Sequence, residues 1–320
     1  MAASAADRRL YFLGESEPIQ RLRANALRLA DAPFPILITG ESGTGKYELA
    51  MFLHAASLRA KEPFVDVHCA TLSETLFESE LFGHERGAFT DARERHVGLI
   101  ERAGSGTLLF DEIDCLAERL QGKLLRFVDR RLYERIGGRE SLSSRAALLF
   151  ASNRPLEDLV ESGEFRFDLF SRINWMTLEI PPLRARPKDV AFLANVFLEE
   201  TRFQLRRATL RWSAAALDGL RQCEWKGNVR ELRAVSTILG FLHAGTGVVS
   251  REEVDELLKE RQRNVANVVR PFGLRDVRGE AEREVIAEAL RRTSGNRVHA
   301  ARLLNIGRRT LQTKITRYRL

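Results

Sequence analysis

Gly40-Glu41-Ser42-Gly43-Thr44-Gly45-Lys46 sets glycines and a lysine at a spacing that suits the cradling of phosphate oxygens. The glycines let consecutive backbone N–H groups turn inward onto an anion, a following helix N-terminus adds positive potential, and Lys46 neutralises the outer phosphates. Farther along the chain, Asp111-Glu112 closes an apolar run. Asp at the carboxyl end of a strand is placed to hold Mg²⁺, and the adjacent Glu can orient an attacking water. The two elements together read as a P-loop nucleoside triphosphatase. Tyr47 stands where many such loops carry a Ser or Thr hydroxyl for the metal. The ion is therefore expected to rest more on phosphate oxygens, water and Asp111.

These groups need elements to hold them. The run Phe34-Pro35-Ile36-Leu37-Ile38-Thr39 predicts a buried strand that delivers the chain into the glycine loop, and Glu48 to Leu58 predicts the helix after it. Gly106 to Phe110 predicts a second buried strand ending on Asp111. At 320 residues and 44% apolar content the chain can hold about two domains with proper cores. No apolar run approaches the ~20 residues of a membrane span, and Met1 to Arg9 lacks the apolar centre of a signal peptide. Cys69, Cys115 and Cys223 are odd in number and without CxxC spacing, so buried free thiols in a reducing cytoplasm are expected.

The net charge of +7 is unevenly placed. Ala289 to Leu320 carries nine Lys plus Arg and no Asp or Glu, leaving 42 basic against 44 acidic residues elsewhere. A segment this one-sided suits a polyanionic partner. It also has helical order: Ala281, Val285, Ile286, Ala289 and Leu290 form one stripe, Val298, Ala301 and Leu304 a second, and Leu311, Ile315 and Tyr318 a third. The last two helices, joined through Asn305-Ile306-Gly307, follow a helix-turn-helix plan; the alternative is a basic three-helix packing module. On the first reading Arg308, Arg309, Thr310, Gln312 and Thr313 enter a major groove of double-stranded DNA, while Lys314, Arg317 and Arg319 reach phosphates.

Between the two nucleotide motifs lies Glu80-Leu81-Phe82-Gly83-His84-Glu85-Arg86-Gly87-Ala88-Phe89-Thr90-Asp91-Ala92. It resembles the GAFTGA loop of the bacterial enhancer-binding proteins, AAA+ ATPases that remodel sigma-54 RNA polymerase. The resemblance runs from about Leu13 to Leu320 and includes Pro181-Pro182-Leu183-Arg184, the lid stretch Trp225 to Leu232, and a Fis-type tail with Gly295-Asn296, Ala300-Ala301-Arg302 and Arg309-Thr310-Leu311. It implies ATP as the nucleotide, Asn153 as the polar sensor beside the γ-phosphate, and Arg166 and Arg172 as arginine fingers acting in trans. Arg230 is implied as the lid sensor, and Gly87, Ala88, Phe89, Thr90, Asp91 and Ala92 as the loop that touches the sigma factor. Arg184 and Arg186 are left as surface ion pairs.

Three positions depart from the family. Asp91 stands in place of the loop's second glycine, where positive φ is expected and Asp tolerates it better than most residues. His68 replaces the asparagine that holds the catalytic glutamate in check; an imidazole can still bond Glu112. Lys226 replaces a proline. Two functions follow: an ATP-hydrolysing activator of sigma-54 polymerase, or a DNA-binding regulator at ordinary promoters that uses ATP only to set its assembly.

The expected fold is α/β, a three-layer AAA+ P-loop core with a mostly parallel sheet, then an α-helical lid and an all-α three-helix helix-turn-helix domain. The expected boundaries are 1–12 tail, 13–182 core, 183–247 lid, 248–276 linker (charged and helix-favouring over Ser250 to Val269) and 277–320 DNA-binding domain. A homo-oligomer is expected, a hexameric ring by resemblance and a dimer on DNA. With about a dozen residues before the ATPase, control is expected to come from a separate regulatory protein, from expression level or from the nucleotide.

Overall fold

Five short apolar runs pair into one parallel sheet in the computed structural model, which describes residues 12–70, 74–89, 91–205, 209–243 and 247–269. The strands are β1 Ile36–Thr39, β2 Phe64–His68, β3 Thr107–Asp111, β6 Ala147–Ser152 and β7 Thr177–Glu179, in the order β2-β3-β6-β1-β7. A two-stranded antiparallel hairpin, β4 Leu132–Glu134 and β5 Ser141–Ser143, lies between β3 and β6 in the chain.

Side chains alternate across a strand, and that period makes two cores. Leu37, Val67, Leu108, Phe110, Leu148 and Phe150 face one way, against Phe77 and Leu81 of α3 (Glu74–Phe82) and Leu120, Leu124 and Phe127 of α5 (Glu118–Arg130). Ile36, Ile38, Leu109, Leu149, Ala151 and Leu178 face the other, against α1 (Glu17–Leu29) and α2 (Lys46–Ala56). The result is a three-layer α/β core. The short α4 (Leu99–Ala103), α6 (Leu156–Glu161) and α7 (Phe167–Ile173) complete its rim. Helix α2 starts at Lys46, ahead of the Glu48 that apolar periodicity marks, because Gly45 at φ 108 turns the loop directly into the first helical turn.

The lid is helical: α8 Pro187–Leu205, α9 Ala214–Arg221 and α10 Asn228–Leu242, with a small parallel pair of β8 Arg211–Trp212 and β9 Val248–Val249. The segment expected as a linker is helix α11, Arg251–Val269. Its first turn packs as part of the lid: Val254 is fully buried, and Glu253 bonds His243 Nδ1 at 2.8 Å and Ser250 N at 2.7 Å. The chain divides into two units at Leu257 and Leu258, and the site described below lies in the first. Thr90 and the whole of 270–320, with every expected DNA-contacting residue, lie outside the described residues. Cys69 is buried as expected, whereas Cys115 is exposed, since it follows the sheet edge in a one-turn 3₁₀ helix. Among the described residues no helix is long and apolar enough to cross a membrane.

Candidate functional site

Parallel pairing brings the carboxyl ends of β1, β3 and β6 to one edge of the sheet. Thr39 is level with Ser152 and His68 with Asp111, so the loop after β1, the carboxylates after β3 and Asn153 after β6 become neighbours. Open α/β sheets bind ligands at this edge. The cavity there holds about 490 Å³, a volume within the usual range for small-molecule sites. Its lining combines the apolar Phe12, Leu13, Leu193 and Phe197 with Lys46, Asp111, Glu112, Asn153 and Arg230.

Lys46 is buried and its ammonium donates to Gly40 O at 2.7 Å, Glu41 O at 3.1 Å and Asn153 Oδ1 at 2.6 Å. Burial pulls its pKa down, opposed by the carboxylates of Asp111 and Asp114. Burial pushes the Asp111 carboxyl up, opposed by its bond from Glu112 N. Glu112 takes a left-handed backbone, φ 57, and its Oε1 accepts from Asn153 Nδ2 at 3.2 Å. Asn153 is thus a bridge between the lysine and the glutamate. Its own backbone N donates to Asp114 Oδ1 at 3.0 Å, which Ser152 Oγ also reaches at 3.1 Å. The sequence reading missed Asp114; its only signal was a third carboxylate soon after the strand.

His68 sits beside two carboxylates. The imidazole lies between Asp66 (3.1 Å) and Asp111 (3.9 Å), while the bond to Glu112 comes from Asn153. Its level pairing with Asp111 explains this, because register partners project on the same side of the sheet. Tyr47 packs edge-on against Phe64, ring centroids 5.8 Å apart, and burial raises its phenol pKa.

Arg166 and Arg172 do not line the cavity. Arg166 pairs with Asp168 at 2.7 Å and Arg172 with Asp129 at 2.9 Å, both largely exposed at the rim. Arg166 is nevertheless fixed, since its backbone N donates to the buried Gln121 at 2.8 Å.

Arg186 is the clearest miss of the sequence reading. It is 1% exposed, lines the cavity, donates to Thr44 O at 3.0 Å and stands 3.7 Å from the fully buried Asp189. Asp189 in turn accepts from Glu15 N and Ser16 N at 2.7 Å each and from Ser16 Oγ at 2.6 Å. The chain entering the core, the base of the lid and the phosphate loop are therefore tied in one buried network. A basic residue near Pro-Pro-Leu-Arg gives no local hint of that burial.

The loop Gly87 to Ala92 closes on itself: Gly87 N donates to Ala92 O at 2.8 Å and Ala92 N to Phe89 O at 3.0 Å. Positive φ falls on Gly87, at 82°. Asp91 is absent from the non-glycine residues with positive φ, which among the described residues are Glu112, Arg131, Trp225 and Asn228. The positive φ expected at Asp91 is not there, and its charge is the remaining difference. Phe89 rests edge-on against His84, centroids 4.8 Å apart.

Residues 12–179 match the Sigma-54 interaction domain, 184–269 the AAA+ ATPase lid domain and 277–318 the Fis family of bacterial regulatory proteins. The regulatory protein AtoC of Escherichia coli is 39% identical over 312 residues, spanning 96% of this chain and 68% of AtoC. The transcriptional regulatory protein ZraR of Klebsiella oxytoca is 39% identical over 307 residues, 95% of this chain and 68% of ZraR. Among solved structures, NtrX of Brucella abortus in complex with ATP superposes with a TM-score of 0.70 at 29% identity, covering 96% of this chain and 69% of that one. The same protein in complex with ADP gives 0.72 at 29% identity, with 99% and 72% covered.

Proposed function

Since the chain belongs to the family of sigma-54-interacting AAA+ regulators with a Fis-type helix-turn-helix, we propose that it is an ATP-hydrolysing activator that binds upstream DNA and remodels sigma-54 RNA polymerase. The observation that carries this reading is the bridge Lys46–Asn153–Glu112 in the lining of one cavity. The phosphates enter the cradle of Gly40 to Lys46, and Lys46 exchanges its backbone carbonyl partners for phosphate oxygens. Asn153 lies between the transferring phosphoryl group and Glu112, which orients the attacking water. Phe12, Leu13, Leu193 and Phe197 supply an apolar seat for the base. Arg230 reaches the phosphates from the lid.

Mg²⁺ fits this donor set. Asp111 is a carboxylate that burial destabilises in its charged form, which a hard cation would relieve. Asp111 would hold the ion jointly with phosphate oxygens and water, since position 47 carries a phenol and not the short Ser or Thr hydroxyl; when bound, the ion would neutralise charge on the phosphoryl oxygens.

Arg166 and Arg172 act on the cavity of a neighbouring copy, which their outward placement allows and which requires at least a dimer, in our reading a hexameric ring. His68, through Asp111, tunes the switch. Gly87 to Ala92 forms the sigma-factor contact, with Phe89 at its tip. Residues 13–182 are the motor core, 183–247 the lid and 277–320 the DNA-binding domain. In that last part Arg308, Arg309, Thr310, Gln312 and Thr313 read bases, while Lys314 and Arg317 hold phosphates.

The test is transcription in vitro with sigma-54 polymerase. The wild type with ATP is expected to form open complexes, and neither a non-hydrolysable analogue nor Glu112→Gln, which keeps ATP binding, is expected to do so. No transcript from any sigma-54 promoter that the protein binds would end this reading. It would leave the second one, which the charge of Asp91 favours: ATP-dependent assembly on DNA at ordinary promoters.

A further inference from the structure

The outer edge of the phosphate loop is gripped by the lid at Glu41, Ser42 and Gly43. Asn228 opens α10 with a left-handed backbone, φ 51, and is fully buried. Its Oδ1 accepts from Leu183 N at 2.8 Å, and its Nδ2 donates to Glu41 Oε2 at 3.1 Å and Ser42 O at 3.0 Å. Glu41, inside the glycine motif, turns its carboxylate outward to Arg184, whose Nη1 donates at 2.7 Å. These two bonds, Arg184 first and then Asn228, hold the Glu41 carboxyl down at about 2. Gly43 O accepts from Val229 N at 2.9 Å and Arg230 N at 3.2 Å, and Arg230 Nη1 donates to Ser42 Oγ at 3.0 Å. The first N–H groups of a helix lack partners within it. Here the phosphate loop supplies them.

The geometry has a mechanical consequence. A trans peptide is a rigid plane with its N–H and C=O pointing opposite ways. The plane joining Ser42 to Gly43 carries the carbonyl that Asn228 holds and the Gly43 N–H that a P-loop turns toward phosphate. The next plane carries the Gly43 carbonyl that caps α10 and the N–H of Thr44, which in this structure donates within the loop to Glu41 O at 3.3 Å. When phosphates reorient those N–H groups, the carbonyls on their far side turn with them. A side chain at Gly43 would spoil this contact, because its Cβ would lie 2.4 Å from Gly227 O.

We propose that Glu41, Asn228 and Arg184 form the joint through which occupancy of the phosphate loop sets the position of the lid, and that Asn228 is the positioning residue for Arg230. This rests on the reading of the cavity as an ATP site. Glu41 thereby serves the lid with its side chain, while only its backbone serves the cradle.

The experiment is titration of the full-length protein with ATP and with ADP, alongside steady-state hydrolysis and nucleotide-free thermal unfolding. Asn228→Gly keeps the left-handed backbone and removes all three side-chain bonds. Asn228→Asp keeps the acceptor for Leu183 but sets a like charge against Glu41. Both are expected to shrink the difference between ATP and ADP affinities by about tenfold, within the ordinary range of coupling between sites, and to lower kcat more than they raise KM. Glu41→Gln should act in the same direction and be non-additive with Asn228→Asp, since both work through one contact. Failure of the wild type to bind either nucleotide sinks the ATP reading itself. Variants that bind both with the ratio unchanged, and merely melt at lower temperature, overturn the joint. Should both position-228 variants fail to fold, Glu41→Gln and Arg184→Gln decide the matter by the same ratio.

Discussion

Lys46 and Asn153 are 107 residues apart in the chain, yet the lysine ammonium donates to the asparagine carbonyl at 2.6 Å. The contact exists because β1 and β6 are adjacent parallel strands that end level with one another. Asn153 Nδ2 donates to Glu112 Oε1 at 3.2 Å, so one amide sits between the Lys46 ammonium and the Glu112 carboxylate.

Removal of that amide should therefore separate binding from chemistry. Asn153→Ala is expected to keep ATP affinity within a few fold and to lower kcat by about 10²-fold, the order seen when one preorganised donor is lost. Nucleotide titration beside single-turnover hydrolysis checks it. An equal loss in affinity would mean that Asn153 only packs the cavity.

Arg166 and Arg172 stand at the rim, bonded to Asp168 and Asp129. If they act on a neighbour, Arg172→Ala alone and Lys46→Ala alone should both be nearly inactive, with losses of about 10³-fold or more for a trans finger. Their mixture should regain part of the wild-type rate, because a mixed interface pairs an intact cradle with an intact finger. A mixture no faster than the sum of its parts would place the arginines in cis.

Asp91 is unstrained, so glycine at that position changes charge and freedom rather than relieving φ. Asp91→Gly should leave ATP hydrolysis unchanged. With sigma-54 polymerase, a wild type already competent that gains little supports the activator. A silent wild type that gains activity supports the ordinary-promoter regulator.

His54 is buried, its Nδ1 2.9 Å from Thr107 Oγ1, and burial lowers its pKa below the unfolded value of about 6.5. Above that value both states are neutral. As pH falls through it the unfolded chain binds a proton that the folded chain resists, so stability falls. Thermal unfolding from about pH 7 to about pH 5 should show a shallower decline for His54→Gln than for the wild type.

Arg309 and Lys314 offer a test of the tail. Arg309→Ala should relax sequence preference, costing about 1–3 kcal/mol if it makes a bidentate guanine contact. Lys314→Ala should weaken all sequences alike and reduce the salt slope by about one. Deletion of Ala289 to Leu320 should abolish specific binding and spare hydrolysis. A truncated protein with the wild-type footprint would move the DNA contact elsewhere.

The sequence by itself determined whatever depends on local spacing. Gly40 to Lys46 announces a phosphate cradle because the glycine spacing is the mechanism, and Asp111 announces the end of a buried strand because the apolar run stops there. The one-sided charge of 289–320 is likewise legible in composition alone. Only the tertiary structure decided which side chains meet across the crossovers between strands. Arg186, read locally as a surface ion pair, is buried with Asp189 because the start of the lid packs against the phosphate loop. Glu41 belongs to the glycine motif by sequence and to the lid by contact, since a P-loop turns its N–H groups inward and leaves its outer face for α10 to cover. His68 faces Asp111 because strand register sets which neighbour a β residue meets. Such partners lie far apart in the chain, and no local pattern encodes a distance that the order β2-β3-β6-β1-β7 alone makes short.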